Sequence, residues 1–398
     1  MERIILHIDV NNAFLSWTAV WLLNNGYNKD IRERYAIIGG NESQRRGIVL
    51  AKSNLCKKKG VKTADPIYLA RRKCPYLEIY EPNFNVYKEY SDMMYNYLCT
   101  YTDIIERYSI DECFLDYTHS INLFGDPIKV AYKIKDEIYK KFGFTVNVGV
   151  GNNKLLAKMA SDFEKPNKVH TLFINEIETK MYPLPIENLF MIGKSSSSNL
   201  RKMGINTIGD LSHVDEKKLI DKFKFMGKIM YNYSHGIDDS EVYYEKENVK
   251  SISNSTVLPY NYKDTEMLKK VLMQLSCNVG RKLRNNKVYA NKVGIWLKYT
   301  YFDMYSKQIK LENCISTDEE IFNSAYKMFN DLWNHENGIR SICVFVSDFS
   351  NVKRKQLSLF DLNQEKEKNS DKLQETIDNI RNKYGNRFIK IAGGNKNE

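Results

Sequence analysis

Apolar and polar positions alternate between two periods along the first part of the chain. Residues 4–8, Ile-Ile-Leu-His-Ile, form a nearly unbroken apolar run of strand length, closed by Asp9. Residues 13–25 switch to helical spacing, with Phe14, Trp17, Val20 and Trp21 on one face. Pro66 opens a helix from Ile67 to Lys73, a first turn that suits proline. A Tyr-rich helix is predicted over 84–101, and 103–108 with 112–117 read as a hairpin. A helix over 127–142 follows, with Val130, Ile134 and Ile138 spaced for burial. Phe144 to Val150 alternates as a strand, and Gly151 leads into a basic helix from Lys154 to Phe163. The order β–α–β–β–α–β predicts a split βαβ sheet with helices on one face. The stretch between the first strand and residue 84 reads as a separate helical lobe.

The pattern then changes. Met191-Ile192-Gly193-Lys194 begins a Ser-rich helix that ends at Leu200 to Ile205, and Thr207 to Leu211 begins another. Two short helices joined through Gly-Ile suggest a helix-hairpin-helix, whose turn and helix N-terminus offer N–H groups to a phosphate. Residues 249–350 repeat the βαββαβ order: strands 249–257, 288–300, 305–312 and 340–349, helices 264–285 and 317–334. Lys269, Lys270, Arg281, Lys282, Arg284 and Lys287 make this part basic. From Asn351 the chain is charged and coreless, except for the apolar stretch Gln356 to Leu362. Leu373, Ile377, Ile380 and Tyr384 fall at helical spacing and predict a short amphipathic helix.

Composition sharpens this picture. A chain of 398 residues is expected to form several domains. Lys and Arg outnumber Asp and Glu by 60 to 49, a net charge of +11 that suits a polyanion such as DNA or RNA. The seven cysteines include no Cys-x-x-Cys pair, and the six histidines form no ligand-spaced cluster. That speaks against a zinc site and a disulfide framework. No apolar run approaches membrane-spanning length, and the chain opens directly into a strand, so a signal peptide is not expected. A reducing cytoplasmic setting and no membrane partner are expected.

The chemistry lies in the acids. Asp9 closes one apolar strand, and Asp111 and Glu112 stand side by side within a second apolar run of Ile110, Cys113, Phe114 and Leu115. Pairing the two strands would bring the three carboxylates together, and such a cluster needs a cation among them. Hard oxygen ligands point to Mg²⁺ or Mn²⁺. Two such ions can clamp the attacking and leaving oxygens of a phosphoryl transfer. Lys57 and Lys165 supply point charges suited to a triphosphate. Phe14, five residues past Asp9, would lie beside the sugar, and residues 10–14, Asn12 and Ala13 among them, would present backbone N–H groups to the phosphates. His7 reads as a strand residue and not as a ligand. Two other readings use the same residues. One is a palm-type nucleotidyl cyclase, which would need no helix-hairpin-helix. The other is a non-catalytic DNA-binding regulatory protein, in which the acids are incidental.

Taken together, these strings resemble the Y-family translesion DNA polymerases, the polymerase IV and UmuC-like (ImpB/MucB/SamB) group. Ile8 to Phe14 resembles the first metal motif with its steric-gate aromatic, and Tyr108 to Asp116 the second. Val148 to Ser161 followed by Lys165-Pro166-Asn167 resembles the third, Ile205 to Leu211 the thumb hairpin, and Gln356 to Phe360 the sliding-clamp peptide. The resemblance implies an α+β, multidomain right-hand polymerase. Its parts would be a ferredoxin-like palm (1–18 and 80–175), small fingers (19–79), a helix-hairpin-helix thumb (176–240), a βαββαβ little finger (241–352) and a tail (353–398). It implies template-directed synthesis past damaged bases without proofreading, on primer-template DNA with dNTPs, by a bacterial cytoplasmic monomer. The clamp, met at the nucleoid, would bind residues 356–362 through Gln356, Leu357, Leu359 and Phe360. Asp9, Asp111, Glu112 and the Val10 carbonyl would hold two Mg²⁺ ions, Phe14 would exclude the ribose 2′-OH, and Lys165 would hold the triphosphate. Many relatives carry Tyr and Arg where this chain has Asn54 and Lys57. Lysine lacks the bidentate phosphate grip of arginine.

Overall fold

The structure, a computed structural model, describes residues 2–40, 47–243, 249–352, 374, 376–381 and 383–384. The chain divides into two compact units, 1–40 with 47–246, and 247–398 with 41–46. In the first unit the elements run β1 (Ile5–Val10), α1 (Ala13–Asn24), β2 (Ala36–Gly39), β3 (Val49–Lys52), α2 (Asn54–Lys58), α3 (Ile67–Lys73) and β4 (Glu78–Tyr80). Then come α4 (Phe84–Leu98), β5 (Ile105–Arg107), β6 (Glu112–Asp116), α5 (Ile121–Phe124), α6 (Pro127–Phe142), β7 (Val146–Gly151), α7 (Lys154–Ser161) and β8 (Val169–Leu172). Four helices follow: α8 (Lys194–Arg201), α9 (Ile208–Ser212), α10 (Glu216–Phe223) and α11 (Phe225–Ser234).

The main sheet has the order β5-β6-β1-β7-β8. β1 lies at its centre, antiparallel to both β6 and β7, which is why its sequence is apolar almost throughout. Leu6, Ile8 and Val10 share one face with Val146, Val148, Val150, Cys113 and Leu115, and pack with Trp17, Tyr87, Met94, Ile134 and Ile138 of α1, α4 and α6. Burying each such aliphatic side chain contributes about 1.5–3 kcal/mol. α6 has clear ends: Pro127 sits at its first turn, the Asp126 carboxylate accepts from the Lys129 N–H, and Gly143 closes it in a left-handed conformation.

Helices were expected on one face only; α7 covers the other. That face carries Ile5, His7 and Asp9 of β1, opposite Asp116, Phe114 and Glu112 of β6 and Gly151, Gly149 and Asn147 of β7. The two glycines admit the helix. A Cβ on Gly149 would come within 2.0 Å of the Ala157 carbonyl oxygen, and one on Gly151 within 2.7 Å of the Ala157 nitrogen. Leu155, Leu156 and Met159 of α7 join a core with Ile177, Leu200, Ile208, Leu219 and Met230, so α7 is also packed against the helical region.

The lobe between α1 and α4 is not purely helical. It holds a small mixed sheet, β3-β2-β4, over a core of Ile37, Val49, Cys56, Val61, Ile67 and Leu77. Strands of three or four residues are too short for alternation to register in the sequence. The turn between α8 and α9 also differs from expectation. Gly204 is left-handed there, but the N–H groups of Gly204 and Ile205 donate to Arg201 and Leu200 carbonyls. Those of Asn206 and Thr207 donate to the Asp210 carboxylate. The turn therefore satisfies its own donors rather than offering them to a phosphate.

The second unit runs β9 (Ser251–Tyr262), α12 (Thr265–Asn285), β10 (Tyr289–Tyr299), β11 (Met304–Ile315), α13 (Asp318–Leu332) and β12 (Ile339–Ser350). Its antiparallel sheet has the order β11-β10-β12-β9. Val293, Ile295, Leu297, Ile342, Val344 and Val346 pack with Leu268, Leu272, Val279, Ala325 and Phe329 of the helices. Residues 376–381 are helical and dock on α12 and α13 through charge. Arg284 grips the Asp378 carboxylate at 2.5 and 3.1 Å and Asp318 at 2.9 Å, and Gln374 donates to Asp318. Among the described residues of this helix Asp378 is the one that is buried, whereas Tyr384, expected on its apolar face, is exposed. The peptide with Gln356, Leu357, Leu359 and Phe360 lies outside the described residues. No described helix is long and apolar enough to cross a membrane.

Candidate active site

Strand register builds the site. Asp9 lies directly opposite Glu112 on β6 and Asn147 on β7, so the three side chains form one row on the face beneath α7. The Val10 N–H donates to the Asp111 carbonyl at 3.1 Å, which ties the corner before β6 to the end of β1. Ser109 donates to the Asp111 carboxylate at 2.7 Å and lies 3.3 Å from Glu112.

Two lysines meet these acids. Asn153 caps α7, accepting from the Leu156 N–H at 2.8 Å, and the helix carries Lys158 over the row. The Lys158 ammonium is 2.5 Å from Glu112, 3.8 Å from Asp9 and 3.4 Å from Asp162. Lys165 pairs with Asp9 and, at 2.8 Å, with Asp162. Burial pushes the Asp9 carboxyl above its ordinary range, against the pull of Lys165 and Lys158. For Lys158 burial acts downward, but the Glu112 hydrogen bond and the charges of Asp162 and Asp9 outweigh it and hold the ammonium above the usual lysine value. Lys165 follows the same balance, with Asp9 and Asp162 prevailing over burial.

The expected three-acid cluster is thus a pair with a neighbour. Asp9 and Glu112 share Lys158, while Asp111 is turned to Ser109. Among the described residues no group of three or more His, Cys, Asp or Glu side chains stands ready to hold a metal ion. The His7 Nδ1 meets the Ser161 hydroxyl at 2.8 Å, and burial, then Lys158 and Lys165, press its pKa well down. Its Nε2 is buried without a partner.

The other expected residues lie on α1, α2 and the turn after β1. Asn12 is left-handed, with φ of 51°, and its side chain donates to the Lys52 carbonyl at 2.8 Å, joining β3 to the turn after β1. Ala13 is buried at the start of α1. Phe14 stacks on Tyr87 at 4.8 Å and meets the edge of Phe84 at 6.0 Å. Lys57 stands on α2, where its charge, after burial, lowers the pKa of Lys52; it is not among the cations paired with Asp9 or Glu112. Sequence reasoning assigned no role to Lys158, Asp162, Ser109 or Asn147. The signal for Lys158 was present: a single lysine within the otherwise apolar run Leu155-Leu156-Ala157-Lys158-Met159-Ala160.

Sequence comparison settles the family. Residues 8–162 match the impB/mucB/samB family, and residues 249–359 match that family's C-terminal domain. The chain belongs to the impB/mucB/samB family. The DNA polymerase IV of Clostridium acetobutylicum is 42% identical to it over 98% of this chain and 97% of that protein. DNA polymerase IV 1 of Bacillus subtilis is 31% identical over all of this chain and 94% of its own length. Among solved structures, a Y-family DNA polymerase chimera covers 87% of this chain and 98% of its own, with a TM-score of 0.73 at 23% identity. DinB from Sulfolobus solfataricus covers 86% of this chain and 98% of its own at 24% identity, with a TM-score of 0.56. The fold is the multidomain α+β architecture of the Y-family polymerases.

Proposed function

We propose that this chain is a DNA-directed DNA polymerase that copies past damaged bases with low fidelity and without proofreading. One observation carries the reading: Asp9 and Glu112 face each other across neighbouring strands, in a chain that relatives called DNA polymerase IV match nearly end to end. The substrates are primer-template DNA and deoxynucleoside triphosphates.

The family implies dependence on a divalent metal. The donors fit such an ion in kind: they are carboxylate oxygens, Asp9 is buried, and the Asp9–Glu112 pair already holds positive charge in the form of the Lys158 ammonium. Asp9, Asp111, Glu112 and the Val10 carbonyl would hold the metal, two Mg²⁺ ions in this reading. Such ions, when bound, favour ionisation of the primer 3′-hydroxyl and neutralise the diphosphate leaving group. The remaining roles belong to the chain. Lys165 and Lys57 hold the triphosphate, the backbone at Asn12 and Ala13 cradles it, and the Phe14 ring, braced by Tyr87, closes the space a 2′-hydroxyl would need. Gln356, Leu357, Leu359 and Phe360 tether the enzyme to a sliding clamp, which offsets a weak grip on DNA.

The test is primer extension with purified protein and Mg²⁺. Glu112→Gln should lower extension by about a thousandfold, because it removes a carboxylate charge from the donors that would hold the metal. Extension at the wild-type rate would refute the assignment, and chelation of the metal should stop the unmodified enzyme.

A further inference from the structure

The third member of the catalytic row has no charge and no assigned role. Asn147 is fully buried, directly opposite Asp9. A side-chain amide offers two N–H donors and two acceptor lone pairs. Here all four are used. The Asn147 Nδ2 donates to the carbonyls of Ser161 at 3.0 Å and Glu164 at 2.7 Å. Its Oδ1 accepts from Asn11 Nδ2 at 3.1 Å and from the Lys168 N–H at 3.2 Å. Asn11, itself buried, turns its own oxygen to the Asn167 N–H at 2.8 Å. Two amides, one just past β1 and one on β7, thus hold the backbone on both sides of Lys165: Ser161 and Glu164 before it, Asn167 and Lys168 after it. Lys165 meets Asp9 from that loop.

We propose that Asn147, paired with Asn11, is a positioning residue that fixes the 164–168 loop so that Lys165 is presented to the nucleotide triphosphate beside Asp9. This rests on the role given to Lys165 above. Only an amide serves. An ionised aspartate has the same shape but no donors, and would turn lone pairs toward the carbonyls of Ser161, which is buried, and Glu164, leaving both unpaired at a desolvation cost.

The experiment compares Asn147→Asp, Asn147→Ser and Lys165→Ala, alone and combined, in the full-length protein. Serine keeps one donor in less space and serves where the aspartate variant folds poorly. Hydrogen exchange in the free enzyme should quicken at the Asn167 and Lys168 amides, which the two asparagines bind directly, while β6 stays protected. In primer extension the KM for dNTP should rise about tenfold. With Lys165→Ala already present, the same change should shift KM by less than about twofold. Unchanged exchange at Asn167 and Lys168 would overturn the proposal, as would effects on KM that add fully to those of Lys165→Ala. If Lys165→Ala alone leaves the KM for dNTP unaltered, the role of Lys165 fails and this inference with it, a result separable from loss of the node because the single variant reports it directly.

Discussion

Lys158 shows what a single residue can conceal in a sequence. It lies in the middle of an apolar run of α7, yet it is the cation that Asp9 and Glu112 share. The acids were legible because each closes or interrupts an apolar strand, a placement that costs free energy without a purpose. Asn147 was not legible, since one asparagine in an alternating strand carries no such penalty until its partners are known. Phe14 lies between these cases. Its spacing from Asp9 pointed to the sugar, and its stacking on Tyr87 supplies rigidity that the sequence did not reveal. Phe14→Ala should therefore admit ribonucleotides, with discrimination against the 2′-hydroxyl falling by about a hundredfold or more. Incorporation ratios for paired dNTP and rNTP measure this, and unaltered ratios would refute the gate.

At the scale of elements, long periodic segments were read well and short ones were missed. α6 begins and ends where Pro127 and Gly143 place it, and both βαββαβ orders are present. The strands of the β3-β2-β4 sheet escaped detection because three or four residues cannot show a period. The position of α7 was hidden for a different reason: glycines report close approach only when the approaching partner is known. Gly149→Ala tests that contact. Its methyl would press on the Ala157 carbonyl, backbone that has no rotamer to yield, and should lower unfolding free energy by about 3 kcal/mol. Because the same helix carries Lys158, primer extension should fall more than the loss of folded protein explains. Denaturant unfolding alongside activity per folded molecule separates the two effects.

For the whole molecule, the net charge of +11 fits a protein that holds a polyanion by its phosphates, and binding should weaken steeply with salt. Such binding follows no particular sequence, as a polymerase needs. Retention on DNA would then come from the clamp peptide. Deleting 356–362 should leave basal extension within about twofold while removing clamp-stimulated synthesis. Stimulation of equal size before and after deletion would rule the peptide out. The helix beyond it is held on α12 and α13 by Arg284 and Asp378, a docking that an apolar-face reading of 373–384 did not foresee because the buried contact is ionic.

The pairing of Asp9 with Glu112 carries one more consequence. Side chains on a strand change sides at every residue, so inserting or losing one amino acid within 5–10 or 112–116 would turn an acid away from α7 and swing leucine and isoleucine out of the opposite core. Folding and chemistry would fail in a single step. A substitution at these positions can be graded in its effect; a change of length cannot.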